Sequence, residues 1–128
     1  MGKFGTIKSA IASASGSTAV WTPASSSNFV RILAYQIILS GDAYAAADEL
    51  TLALYDAATA TPIQYLLGVP TAAPAAVTRG ALFDSGIVDL GLGIRTATAG
   101  DAVNINLSEA LTAGKVTVLL FGNEGPWV

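Results

Sequence analysis

The sequence predicts an all-β protein, an antiparallel β-sandwich of eight to nine short strands, and three observations lead to this class. Strand-length apolar segments recur at roughly 10-residue spacing, as in sandwiches. Turn residues such as Gly41-Asp42 and Gly100-Asp101 separate the segments. Helical periodicity is almost absent, and the Ala-rich stretch 43–47 is too short for more than one helical turn.

The predicted strands are defined by alternation of apolar and polar residues and by the turn residues between them. They cover residues 4–13, 18–22, 29–40, 49–57, 62–67, 81–90, 94–97, 102–107 and 116–121. Segment 62–67 is expected to be an edge strand, and 68–77, with Pro70 and Pro74, an irregular loop. Such a set predicts one domain over residues 1–128, most simply a jelly roll, with an eight-stranded barrel as the competing architecture.

The longest predicted strand, 29–40, is apolar on both faces. One face carries Leu33, Tyr35, Ile37 and Leu39, and the other carries Val30, Ile32, Ala34, Gln36 and Ile38. A strand of this kind lies in the middle of a sheet, or lines the core with one face and a subunit contact with the other. In segment 49–57, by contrast, Leu50, Leu52 and Leu54 are expected to point inward and their neighbours outward.

The composition excludes several classes of function. The 128 residues include no Cys and no His, so disulfides, thiolate metal sites and the commonest general base are missing. The net charge is −3 and the six basic residues are scattered singly, so we expect no nucleic-acid partner. No apolar segment approaches the roughly 18 residues that a membrane helix needs, so we expect no membrane partner.

Charged residues make up only 12% of the chain, about half the ordinary share of about 25%. A freely diffusing monomer normally carries more surface charge for solubility. The low charge therefore favours a surface that is largely covered in an oligomer or larger assembly. A general compositional bias toward small residues is the alternative explanation.

The acidic residues do not form an obvious catalytic or metal site. Asp48 and Glu49 are adjacent, and Asp84 and Asp89 are separated by an odd number of positions, so each pair is expected on opposite strand faces. An enzyme would require two carboxylates from remote segments to converge, and we predict no enzyme, no cofactor and no metal. Calcium binding by Asp42 with Asp48 or Glu49 is the alternative to a simple turn capped by Asp42, and we favour the turn.

Two further segments have simple structural interpretations. Residues 91–96 lack the third glycine of a phosphate-binding loop and are expected to form a turn between strands. Asn104 and Asn106 share one strand face, as an inter-subunit contact or as the wet face of a half-buried strand.

Aromatic residues at strand ends and in loops give the candidate contacts. Trp21, Tyr65 and Trp127 suit a protein interface, a sugar-stacking platform or packing at the rim of the core. Adding the apolar residues at ends and edges, the candidate assembly contacts are Phe4, Trp21, Tyr65, Leu66, Leu67 and Trp127.

Three segments resemble small virion proteins of tailed bacteriophages, the jelly-roll type of capsid decoration or cement protein. They are the block 99–108 (AGDAVNINLS), the opening 7–16, and the strand 29–37 with its basic residue Arg31. The chain departs from this pattern in segment 68–77. The resemblance implies a jelly-roll-like sandwich that decorates the capsid exterior, often as a trimer, without catalytic residues.

From the residues and the resemblance together, we expect a structural virion protein. It would be a cement subunit that stabilises a phage head by binding between major capsid proteins, with itself (as a homotrimer) and the major capsid protein as partners. The alternative is a receptor- or carbohydrate-binding module of a phage fibre, tail or base plate, with Trp21, Tyr65 and Trp127 as its platform.

Overall fold

The computed structural model describes residues 5–40, 50–57, 62–69, 81–108, 110–111 and 114–128. Its elements are β1 (Thr6–Ala12), β2 (Gly16–Trp21), β3 (Phe29–Ser40), β4 (Leu50–Asp56), β5 (Pro62–Val69), β6 (Ala81–Asp84), β7 (Val88–Arg95), β8 (Val103–Leu107) and β9 (Lys115–Gly125). All nine are strands, so the predicted all-β class is confirmed. In the ranges described, no helix is long and apolar enough to cross a membrane.

The strands form two antiparallel sheets. The five-stranded sheet has the order β1-β9-β3, and both β6 and β7 pair with the free side of β3. The four-stranded sheet has the order β2-β8-β4-β5. The predicted edge strand at 62–67 is confirmed as β5, which lies at the edge of this sheet.

The pairing is nested along the chain and defines a jelly-roll topology. β1 pairs with β9, β2 with β8, β3 with β6 and β7, and β4 with β5. The chain is thus one long hairpin whose successive strand pairs alternate between two sheets. This is the rolled double-sheet arrangement rather than a closed barrel.

The core lies between the two sheets and is built from the alternate residues that each strand turns inward. The five-stranded sheet contributes Val30, Ile32, Ile37, Leu39, Val116, Val118 and Leu120, and the four-stranded sheet contributes Trp21, Leu52, Leu54, Val103, Ile105 and Leu107. The inward direction predicted for Leu52 and Leu54 is confirmed. The side chain of Leu50 lies outside the described part.

The face assignment along β3 was wrong at one end. Val30 and Ile32 are both buried in the core, together with Tyr35, Ile37 and Leu39 from the opposite predicted face. The alternation changes phase because β3 bulges: Ile32 lies opposite Gly122 and Ala34 opposite Phe121, which leaves Leu33 as the extra residue. A bulge of this kind lets both halves of the strand face the same core.

The prediction of one strand over 81–90 and a turn at 91–96 was also wrong. The strand is interrupted at 85–87, and β7 then continues through the predicted turn to Arg95. Gly91 and Gly93 adopt positive φ values of 68° and 89°, which allow the strand to bend without ending. Gly93 also packs so closely on β3 that a Cβ there would lie 2.7 Å from the carbonyl oxygen of Ile32.

Two strands are longer than predicted. β9 continues past Phe121 to Gly125, and β5 continues to Val69, so the predicted loop at 68–77 begins later. The remainder of that loop lies outside the described residues.

Candidate functional surfaces

The outward face of the five-stranded sheet carries apolar side chains on β1 and β9, interspersed with Ser9 and Thr117. Residues directly opposite each other share a face, and Ile7 and Ile11 on β1 lie opposite Phe121 and Thr117 on β9. Ile7 and Ile11 are 56% and 60% exposed, although each is a large apolar side chain. Leu119 and Ile38 continue the same face across β9 and β3. Beyond the bulge, the second face predicted for β3 (Ala34, Gln36 and Ile38) is the outward one, and Ala34 on it is fully buried.

The outward face of the four-stranded sheet has a different character. Asn104 and Asn106 on β8 share it with Ala19 and Ser17 on β2, and with Tyr55 and Ala53 on β4. The prediction that the two asparagines share one strand face is confirmed. These six residues are polar or small, and none is charged.

Three further large apolar side chains project from loops, turns and edges. Leu92 on β7 is 91% exposed and Trp127, just beyond β9, is 92% exposed, while Ile87 between β6 and β7 is 55% exposed. Single exposed apolar residues are ordinary on protein surfaces. An almost fully exposed tryptophan is not, because burying an aromatic ring is strongly favourable.

The six candidate assembly contacts fall in different environments. Trp127 is on the surface, whereas Trp21 is fully buried and Leu66 is 7% exposed, both within the core. Tyr65 and Leu67 lie on edge strand β5 opposite Ala53 and Leu52, and their side chains lie outside the described part. Phe4 also lies outside the described residues. The interior position of Trp21 removes one of the three rings of the proposed sugar platform.

Trp21 instead belongs to a polar cluster at one end of the sandwich, centred on Glu124. The indole Nε1 of Trp21 donates to Oε1 of Glu124 at 3.1 Å, and Nδ2 of Asn28 and the backbone N–H of Ala24 donate to Oε2 at 2.9 and 2.8 Å. Nζ of Lys8 lies 6.0 Å from the centroid of the Trp21 ring. The cluster ties β9 to β2 and to the loop that leads into β3.

Burial of Glu124 by itself would raise the pKa of this carboxyl group. The hydrogen bonds from Asn28, Trp21 and Ala24, aided by the positive charge of Lys8, outweigh the burial, and the pKa is lowered from its ordinary value. No local feature of the sequence indicates this cluster, because its members come from segments far apart in the chain.

A second acidic cluster joins Asp56 at the end of β4 to Asp101 before β8. Asp56 is 2% exposed and accepts a hydrogen bond at Oδ2 from the backbone N–H of Ala97 at 2.9 Å. Burial, the hydrogen bond to Asp56 and repulsion from its charge raise the pKa of the Asp101 carboxyl. Oδ2 of Asp101 is buried without a hydrogen-bond partner in the described part.

These are the only remote carboxylates that we find converging in the described part of the chain. They are in hydrogen-bonding contact, whereas the carboxyl groups of glycosidases are about 5 to 9.5 Å apart with the sugar bond between them. The pair therefore braces the connection between β7 and β8, and the absence of enzymatic activity stays a prediction.

The Asp56–Asp101 pair makes a prediction about stability. Since the pKa of Asp101 is raised in the fold, its contribution to stability is present at acid pH and is lost as the pH rises through the folded-state value. In Asp101→Asn the amide group is a donor to Asp56 at every pH. We therefore expect the free energy of unfolding to rise by about 1 kcal/mol at pH 7, or Tm by about 4 °C, and this gain to become smaller toward pH 4. Thermal unfolding across this pH range measures the gain.

The matched control for Asp101→Asn is Asp84→Asn. Hydrogen bonds from Gln36 and from the N–H of Gly86 lower the pKa of Asp84, so neutralising this carboxylate is expected to give no gain at pH 7. An equal gain in both variants would mean that the lower net negative charge, and not the contact with Asp56, is responsible.

Within the part of the chain that the structure describes, the remaining acidic residues lie in no group of three or more potential metal ligands. Asp84 lies at the end of β6 and Asp89 on β7, and Oδ1 of Asp89 accepts the N–H of Gly91 at 2.7 Å. The predicted turn at Asp42, and the alternative calcium site with Asp48 or Glu49, lie outside the described residues.

The fold and these surfaces define the class of protein: a jelly-roll sandwich with a partly apolar outer sheet face and a projecting tryptophan. No protein-family model matches the chain, and no curated protein matches it. Among solved structures, a chain of the cyanophage Pam1 capsid asymmetric unit is similar, with a TM-score of 0.46 and 18% identity, covering 91% of this chain and 83% of that chain. A likeness at this level does not carry a function from one chain to the other.

Proposed function

We propose that this protein is a structural virion protein, a decoration or cement subunit on the exterior of a phage capsid that binds between major capsid proteins. The single observation that carries the proposal is the exposure of large apolar side chains, led by Trp127 at 92%, on a chain with only 12% charged residues. Such a surface is suited to be covered by other subunits.

Two features support this proposal over a ligand-binding or catalytic role. The jelly roll is a common architecture of viral capsid proteins, although it also occurs in lectins and cupins, so the fold alone does not decide. The burial of Trp21 leaves Trp127 without one of the rings that a sugar platform would use. A cement role needs only apolar contact, repeated over many copies so that modest single affinities add up.

Trp127 is the proposed contact with the major capsid protein. Aromatic residues that become fully buried at an interface typically contribute 2 kcal/mol or more, so Trp127→Ala is expected to weaken binding to undecorated capsids by about 30-fold or more. The Tm of the Trp127→Ala variant is expected to stay within about 2 °C of the wild-type value, because an exposed side chain contributes little to the stability of the fold. Co-sedimentation with undecorated capsids, titrated over protein concentration, measures the effect.

The control is Lys115→Ala, which truncates an exposed residue at the start of β9, the opposite end of this strand from Trp127. This variant is expected to pellet with capsids as the wild type does. Wild-type protein that never pellets with capsids would refute the proposed function. A glycan array probed with the same protein would then test the receptor-binding alternative.

A further inference from the structure

The sandwich has four edges, and three of them carry features that block pairing with another chain. β5 begins at Pro62 and its pairing with β4 shifts register twice. β2 has a register shift between Ala19 and Trp21. The edge formed by β6 and β7 is broken at 85–87 and bends at two glycines of positive φ. Proline, bulges and short or bent strands are the usual protection of edges.

The fourth edge, β1, lacks these features. Its seven residues, Thr6–Ala12, pair with β9 without a register shift and include no proline. The only charge on the strand is Lys8, which is directed toward Trp21, with its Nζ 6.0 Å from the ring, and acts on Glu124. Among the described residues only β9 pairs with β1. Within the described part of the chain this edge is therefore regular in register and has no strand on its second side.

The side chains of β1 are also self-complementary. Ile7, Ser9 and Ile11 alternate along the outward face, and all three are exposed. If a second β1 runs antiparallel with Ser9 opposite its own copy, each Ile7 lies opposite Ile11 of the partner subunit. In the same register Lys8 lies opposite Ala10 of the partner subunit, so no two like charges are directly opposed.

We propose that two copies of this chain pair antiparallel through β1, around a two-fold axis at Ser9, to form one continuous sheet of ten strands. A two-fold contact of this kind uses the same surface on both subunits. The unpaired backbone groups of β1 acquire partners, and the exposed Ile7 and Ile11 form cross-strand pairs.

This inference goes beyond the proposed function, because it names a contact between copies of this chain, whereas the sequence led us to expect self-association as a homotrimer. It differs from that expectation in one respect: a two-fold contact gives a dimer, whereas the resemblance implied a homotrimer.

The first test uses single cysteines, which are unambiguous because the chain has none of its own. Opposed residues of antiparallel strands have Cα atoms about 4.5 to 5.5 Å apart, within the range that a disulfide spans. Ser9→Cys is therefore expected to form a disulfide-linked dimer under mild oxidation. The matched control is Ser17→Cys, an exposed serine on edge strand β2, which is expected to remain monomeric on a non-reducing gel.

The second test uses charge to establish the register. Ile7→Lys with Ile11→Lys places like charges opposite each other, and Ile7→Glu with Ile11→Lys places opposite charges together. We expect the first double variant to weaken dimerisation by about 100-fold and the second to recover most of that loss. Light scattering over a concentration series gives the dissociation constants, and far-UV circular dichroism verifies that both variants are folded.

A wild-type protein that is a monomer or a trimer by mass would overturn the inference. So would equal cross-linking of the Ser9→Cys and Ser17→Cys variants, or failure of the Glu/Lys variant to recover. Failure of the proposed function looks different: the wild type would dimerise and cross-link as expected but would not pellet with capsids.

Discussion

Replacing Gly122 with alanine is expected to destabilise the fold by about 3 kcal/mol or more, lowering Tm by about 10 °C or more. A Cβ at this position would overlap the carbonyl oxygen of Arg31 and lie 3.0 Å from its carbonyl carbon. These are backbone atoms of β3, at the bulge that turns both halves of that strand toward the core, and they cannot move without separating β3 from β9. Thermal or denaturant unfolding monitored by circular dichroism measures the loss.

Gly125→Ala on the same strand is the matched control. A Cβ there meets only Cγ1 of Val128 at 3.6 Å, an ordinary contact, and the position does not require a positive φ. Its effect is expected to stay within about 1 kcal/mol in either direction, since alanine also restricts the unfolded chain. Similar losses in both variants would show that β9 requires glycine for a reason other than this close approach.

Replacing Glu124 with alanine is expected to cost about 3 kcal/mol, or about 10 °C in Tm, at pH 7. The change leaves the indole N–H of Trp21 without its acceptor, and also removes the acceptor for Asn28 and for the backbone of Ala24. Trp21 is fully buried in the fold, so its indole N–H loses a hydrogen bond and carries a desolvation cost.

Glu124→Gln separates charge from shape. The amide oxygen can still accept from Trp21, but the amide nitrogen cannot accept from Asn28 or Ala24, so an intermediate loss is expected. Because the pKa of Glu124 is lowered from 4.5 in the fold, its stabilisation is present above the unfolded-state pKa and is lost as the pH falls through the folded-state value. The difference in stability between wild type and Glu124→Gln should therefore become smaller as the pH is lowered. A difference in stability that is constant with pH would contradict a stabilising role for the negative charge of Glu124.

Some features of the fold were predictable from the sequence and others were not. The alternation of β4 and β8 is a local property, so their inward residues, such as Leu54 and Ile105, and the shared face of Asn104 and Asn106 were predictable. The bulge at Leu33 was not, because it depends on Gly122 and Gly93 in two other strands that let β3 approach closely. Similarly, the prediction of a single strand over 81–90 did not account for the positive φ that glycine permits.

The two polar clusters could not be predicted from the sequence for a related reason. Asp56 and Asp101, like Trp21 and Glu124, belong to segments that are far apart in the chain and are brought together by the nested strand pairing of the jelly roll. Trp21 appeared to be a surface aromatic because it ends a short strand next to a loop. Its actual place in the core follows from the strand opposite it, β8, and from the carboxylate that accepts its N–H.

The sequence by itself therefore determined the all-β class, most of the strands and the low charge of the surface, since side-chain alternation and composition are local properties of the chain. Only the tertiary structure decided which strands are neighbours, which carboxylates meet, which aromatic residues are buried and which edge is left unprotected. Those properties depend on contacts between residues distant in the chain, and the pairing of β1 with β9 brings together the most distant of the strands.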